Sequence, residues 1–139
     1  MSITILVLDD DEVIRGLLCE VLQDEGFRVV AAETLPELLK IAPKHADALI
    51  TDLLLDFEAV GIIAIEQVRK ITRPDLPAII CTAALKQSED HRADILRLGA
   101  QLLLKPFTID ELLDMVGRAI KPAVSKQPLL PLHLQTVCA

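Results

Sequence analysis

Five short runs of β-favouring apolar residues alternate along this chain with segments whose apolar residues fall at helical spacing, and that alternation leaves few folds open. Residues 3–8 stop at Asp9, after which Val13, Ile14, Leu17, Leu18, Val21 and Leu22 recur at helical intervals up to Gly26. Residues 27–32 form a second run, and Thr34 with Glu37 stands at capping-box spacing at the head of a helix carrying Leu35, Leu38, Leu39 and Ile41. Three further pairs follow: 48–51 with a helix near 62–71, 78–81 with one helix ending near Gly99, and 101–104 with a last helix opened by Thr108 and Glu111. Parallel strands need crossover helices and bury both faces, so the pattern predicts a doubly wound α/β domain with a five-stranded parallel sheet.

The composition agrees with one soluble domain. Of 139 residues 52% are hydrophobic, which excludes a disordered chain, and 21 acidic against 14 basic side chains disfavour a nucleic-acid-binding face. Charged or polar residues interrupt every apolar stretch short of the ~18 residues that a transmembrane helix needs. The start, MSITILVLDDDEV, lacks the basic segment of a signal peptide, so a cytoplasmic location without membrane insertion is expected. Cys19, Cys81 and Cys138 show no disulfide or ligand spacing, and His45, His91 and His133 are scattered, so no transition-metal site is predicted. From 122 to 139 the chain becomes a proline-rich, apolar tail that is too short for a second domain, and a flexible segment is expected there.

In open α/β sheets the functional crevice lies beyond the carboxyl ends of the strands. The residues there are Asp9, Asp10 and Asp11 after the first run, Asp52 after the third, Thr82 and Ala83 after the fourth, and Lys105 and Pro106 after the fifth. Singly, Asp11 reads as a helix cap, Thr82 as a turn residue and Lys105 as a solvated charge. Gathered at one crevice, the carboxylates repel each other unless a cation intervenes, and Mg²⁺ suits one or two carboxylates plus phosphate oxygens. Asp10 and Asp52 fit that role with Asp9 beside them. A phosphoryl group arriving there would meet the metal, the Lys105 ammonium and the Thr82 hydroxyl, leaving Asp52 to attack phosphorus in line.

These residues, in ILVLDDDEVIR, LITDLLL, IICTA and LLLKPF, occur in order at βα intervals. Over about residues 1–121 the sequence resembles the receiver domain of two-component response regulators. The resemblance implies a flavodoxin-like sheet of order 2-1-3-4-5 and Asp52 as acceptor of a phosphoryl group from a sensor histidine kinase or histidine phosphotransfer protein. It further implies Mg²⁺ held by Asp9, Asp10, Asp52 and the backbone carbonyl of Leu54, and a cis peptide between Lys105 and Pro106. Such a domain is a signalling phosphoacceptor, not a turnover enzyme, with self-phosphorylation and slow self-dephosphorylation its only expected reactions. Thr82 would move towards the phosphoryl group and repack the surface of the fourth helix, fifth strand and fifth helix, where a downstream protein or a second copy of the chain would bind.

The chain departs from that family at three places. Leu102 stands where an aromatic residue usually turns inward, in a chain without tyrosine or tryptophan, and the resemblance then implies Thr82 with Leu102, which can still repack, as the switch pair. Asp56 replaces a usual proline, and Gly61 comes one residue late, so a reshaped loop is expected, with Asp56 and Glu58 as surface charges. The resemblance also implies that the Leu54 side chain overhangs the phosphoryl site, where an apolar residue is expected to shield it from water. The rival readings are a degenerate receiver acting as a phosphorylation-independent interaction module, a flavin or nucleotide binder, whose ligand the three aspartates would repel, and an aspartyl-phosphate hydrolase, which would want an acid at Leu54.

Overall fold

The apolar runs become strands wherever β-branched and leucine side chains can be buried on both faces of a sheet. A computed structural model describes residues 2–120; the tail at 122–139, with Cys138 and His133, lies outside them. In chain order the elements are β1 (Thr4–Leu8), α1 (Glu12–Asp24), β2 (Arg28–Ala32), α2 (Leu35–Ile41), β3 (Ala48–Thr51) and α3 (Val60–Ile71). They continue with β4 (Ala78–Thr82), α4 (Leu85–Asp90), α5 (Arg92–Arg97), β5 (Gln101–Leu104) and α6 (Ile109–Ala119). All strand pairs are parallel and the sheet order is β2-β1-β3-β4-β5, the doubly wound, flavodoxin-like arrangement.

Alternate strand residues divide the core in two. Leu6, Leu8, Leu49 and Ile80 face α2, α3 and α5 through Leu38, Ile65, Val68 and Ile95. Ile5, Val7, Ile50, Ile79 and Leu103 face α1 and α6 through Leu18, Leu22, Leu112 and Val116. The helices begin on side-chain caps: Asp11 accepts the N–H groups of Val13 and Ile14, Thr34 that of Glu37, and Thr108 forms a reciprocal box with Glu111.

Two expectations need correction. The run after β4 is not one helix: the backbone leaves helical geometry at His91 (φ −104°, ψ 15°), which separates α4 from α5. Just before the break the Ser88 hydroxyl donates to the Leu85 carbonyl at 2.7 Å, a local bond that competes with the helix ladder. Strand β4 also runs one residue further than its apolar content suggested, taking Thr82 into the ladder opposite Leu104. The last helix is therefore α6, and the surface of the fourth and fifth helices corresponds to α4, α5 and α6 around β5.

Gly61, in the first turn of α3, lies directly on the chain that leaves β3. A β-carbon there would stand 2.3 Å from the Asp52 carbonyl oxygen and 2.9 Å from the Leu53 α-carbon, while the Gly61 N–H donates to the Leu53 carbonyl at 3.0 Å. Only glycine permits that approach, so Gly61→Ala must push α3 off β3. We expect it to lower unfolding free energy by roughly 2–3 kcal/mol in urea titration; an unchanged midpoint would contradict the packing.

Candidate functional site

The chain turns from β1 to β2 on one side and to β3 on the other, so the sheet has its switch point between β1 and β3. There Leu8 pairs with Thr51 of β3 and with Ala32 of β2, and both ladders continue one residue beyond the strands: the Asp52 N–H donates to the Leu8 carbonyl at 3.0 Å and the Asp9 N–H to the Ala32 carbonyl at 3.3 Å. On the other side Thr82 pairs with Leu104, and the Lys105 N–H donates to the Thr82 carbonyl at 2.9 Å. Regular backbone pairing thus delivers Asp9, Asp52 and Lys105 to one rim.

Their side chains meet. Lys105 Nζ lies 3.0 Å from Asp52 Oδ2 and 3.1 Å from Asp9 Oδ2, bridging residues that are 53 and 96 positions away in sequence. Asp9 is almost wholly buried, with 1% exposure, and its Oδ1 accepts the Asp11 N–H at 2.9 Å. Asp52 is partly buried and accepts the Leu54 N–H at 3.4 Å. Asp10 is exposed, yet one carboxylate oxygen from each of Asp9, Asp10 and Asp52 lies within 4.8 Å of the others. Three carboxylates against one ammonium leave an excess of negative charge when all are ionised. Hard oxygen donors so arranged, open to solvent on the Asp10 side, fit a small divalent cation such as Mg²⁺.

Burial pushes the Asp9 carboxyl above its ordinary value and the Asp52 charge adds to that, against the opposing Asp11 N–H and Lys105. For Lys105 burial acts to lower the pKa, but the hydrogen bond and charge of Asp52, with the charge of Asp9, outweigh it, and the value is raised. The ammonium is thereby secured across the neutral range. Burial also pushes the nearby Cys81 thiol up to about 12, which keeps it from acting as a nucleophile.

Other expected site residues stand close by. Thr82 is buried at the end of β4, and its hydroxyl accepts the Ala84 N–H at 3.1 Å. The Lys105–Pro106 peptide is cis. Leu102 is partly buried against the cluster that holds Ile95 and Leu98, and Leu54 is partly buried against the same cluster. Asp11 serves as the α1 cap and lies outside the carboxylate cluster.

Three contacts at the site leave no pattern in the sequence. Arg15 Nη1 donates to the Asp9 carbonyl at 2.9 Å, clamping the turn that presents the acidic pair. Gly61 packs on the Asp52 backbone. The Asp56 N–H donates to Asp10 Oδ2 at 3.0 Å. The motif ILVLDDDEVIR contained Arg15, but a side chain reaching back six residues to a carbonyl leaves no periodic trace.

The sequence model of the response regulator receiver domain matches residues 5–117. The chain belongs to the response regulator receiver domain family. Among its relatives, the response regulator MprA of Mycobacterium ulcerans is 37% identical over 115 residues, covering 81% of this chain and 48% of that protein. A putative NtrX-like response regulator of Rickettsia bellii is 29% identical over 137 residues, covering 97% of this chain and 28% of its own length. The chain therefore spans only a quarter to a half of these relatives. The crystal structure of a CheY-like receiver domain protein from Methanospirillum hungatei superposes with a TM-score of 0.78 at 26% identity, over 91% of this chain and all of that one. Among the described residues no helix is long and apolar enough to cross a membrane.

The raised Asp9 carboxyl makes a signed prediction. A group that binds its proton more tightly when folded favours folding fully below its unfolded value of 3.8, and that contribution is lost as pH rises through the folded value. Carbon-13 NMR titration without divalent cations should place the Asp9 midpoint above 3.8, and higher still in Lys105→Met. A midpoint at or below 3.8 would contradict the burial argument.

Proposed function

We propose that this receiver domain, residues 1–121, accepts a phosphoryl group on Asp52 from a phosphohistidine of a sensor histidine kinase or histidine phosphotransfer protein. The observation that carries this reading is the Lys105 ammonium held between Asp52 and the buried Asp9, with Asp10 alongside. Asp9, Asp10 and Asp52, with the Leu54 backbone carbonyl, are the residues that would hold Mg²⁺. A dication bound there supplies positive charge to the phosphoryl oxygens and lessens their repulsion by the carboxylates.

The chain's own groups account for the remaining chemistry. An Asp52 carboxylate oxygen forms the new O–P bond while the N–P bond to the donor imidazole breaks, and the departing nitrogen keeps the electron pair. Lys105, already directed at Asp52 Oδ2, can donate to a phosphoryl oxygen, and its raised pKa keeps it charged for that purpose. The Thr82 hydroxyl accepts from Ala84 but still has a proton to donate. Turning it toward a phosphoryl oxygen would disturb the β4–α4 turn, and Leu102, two residues before Leu104 on the paired strand, would repack against Ile95 and Leu98.

Such a rearrangement would change the α4, α5, β5 and α6 surface, where Leu85, Leu96, Leu104 and Ile109 are exposed. That surface is the proposed contact for a downstream protein or for a homodimer. The role is stoichiometric signalling with no turnover of a substrate, and it requires neither nucleic acid nor membrane insertion by this domain.

Incubation with acetyl phosphate and Mg²⁺ should produce one phosphate-sized adduct by intact mass, absent when the metal is chelated and absent in Asp52→Asn. A chain that gives no adduct with either acetyl phosphate or a phosphohistidine donor would instead be the phosphorylation-independent interaction module.

A further inference from the structure

The chain between β3 and α3 folds back on itself in a two-residue hairpin. Leu55 N–H donates to the Glu58 carbonyl at 2.9 Å and Glu58 N–H to the Leu55 carbonyl at 3.2 Å. Both central residues are left-handed, Asp56 at φ 53° and Phe57 at φ 64°. This is the handedness of a type I′ turn, for which an Asn-Gly or Asp-Gly pair is the favoured sequence. Aspartate tolerates it, but a phenylalanine β-carbon is disfavoured there. Packing does not offset the strain, because Phe57 is 94% exposed.

The conformation has one visible product: it brings the Asp56 N–H to Asp10 Oδ2, 46 residues away in sequence. Asp9 is fixed by Lys105 and the Asp11 N–H, and Asp52 by Lys105 and the Leu54 N–H. Among the described residues the Asp56 N–H is the one donor to the Asp10 carboxylate, and Asp10 is the exposed member of the three. An exposed carboxylate without a partner samples several rotamers and must lose that freedom to coordinate a cation. With one oxygen held, the carboxylate is oriented before a cation arrives.

We propose that the Leu55–Glu58 hairpin is a positioning element for the cation site, in which the left-handed Asp56–Phe57 pair holds Asp10 towards Asp9 and Asp52 and so sets the affinity for Mg²⁺. The proposal rests on the reading of these three carboxylates as a divalent-cation site. Donors that orient a metal-binding carboxylate commonly change affinity by about tenfold or more when lost.

Calorimetric titration of the full chain with Mg²⁺, in the absence of any phosphodonor, tests it. Asp56→Pro removes the N–H and forbids positive φ, and should weaken Mg²⁺ binding about tenfold. Asp56→Asn removes the charge but keeps the donor and the turn, and should stay within about twofold of the native chain. Phe57 offers a pair that alters neither charge nor any N–H: Phe57→Gly should bind at least as tightly as native, whereas β-branched Phe57→Val should bind several-fold more weakly. That pair keeps the test decisive should Asp56→Pro not fold, as circular dichroism would show. Equal affinity of Phe57→Gly and Phe57→Val, or a loss in Asp56→Asn matching that of Asp56→Pro, would overturn the positioning role. A native chain that takes up no Mg²⁺ would overturn the cation reading and the proposal with it, a result distinct from either.

Discussion

The structure turns on one ammonium group set between two carboxylates. Lys105 reaches Asp52 and the buried Asp9 at ordinary hydrogen-bond distances, and it ties the end of β5 to the ends of β3 and β1 across the sheet. Taking one partner from such a buried arrangement typically costs several kcal/mol, because the charges left behind keep their desolvation penalty without compensation. The same penalty makes the site responsive. Burial raises the Asp9 carboxyl above its ordinary value while the Asp11 N–H and Lys105 oppose that shift, so the charges at the rim are coupled.

The fold supplies this arrangement through backbone pairing alone. Because the β1–β2, β1–β3 and β4–β5 ladders each continue one residue past the strands, Asp9, Asp52 and Lys105 take positions set by hydrogen-bond register. Helix packing then locks the rim from outside: Asp11 caps α1, Arg15 returns from α1 to the Asp9 carbonyl, and Gly61 lets α3 settle on the Asp52 backbone. The loop that carries Asp56 completes the acidic side by reaching Asp10. The site is thus a rigid floor of strand ends with one strained hairpin at its edge.

Much of this was legible from residue order because burial of strands leaves a continuous apolar signal, and the polar residue that ends each run marks the rim. Asp9, Asp10, Asp52, Thr82 and Lys105 all follow from that rule. The sheet order came from the family resemblance, since periodicity does not report which strands are neighbours. The break at His91 leaves no sequence signal because one non-helical residue hardly disturbs helical spacing. The role of Asp56 was hidden for a different reason: its contribution is a backbone N–H, which every residue except proline has, and its partner lies 46 residues away. Asp-Phe is no turn signature, so the left-handed pair could not be inferred from composition.

A phosphoryl group carried by the Asp52 carboxylate itself can be trapped chemically. The chain would be treated with acetyl phosphate and Mg²⁺, reduced with borohydride, digested and sequenced by mass spectrometry. Hydride attack on an aspartyl phosphate expels phosphate and leaves homoserine, so homoserine is expected at position 52 and at no other aspartate. Homoserine at Asp9, Asp10 or Asp56, or an unreduced Asp52 in a chain that carries the phosphate-sized adduct, would contradict it.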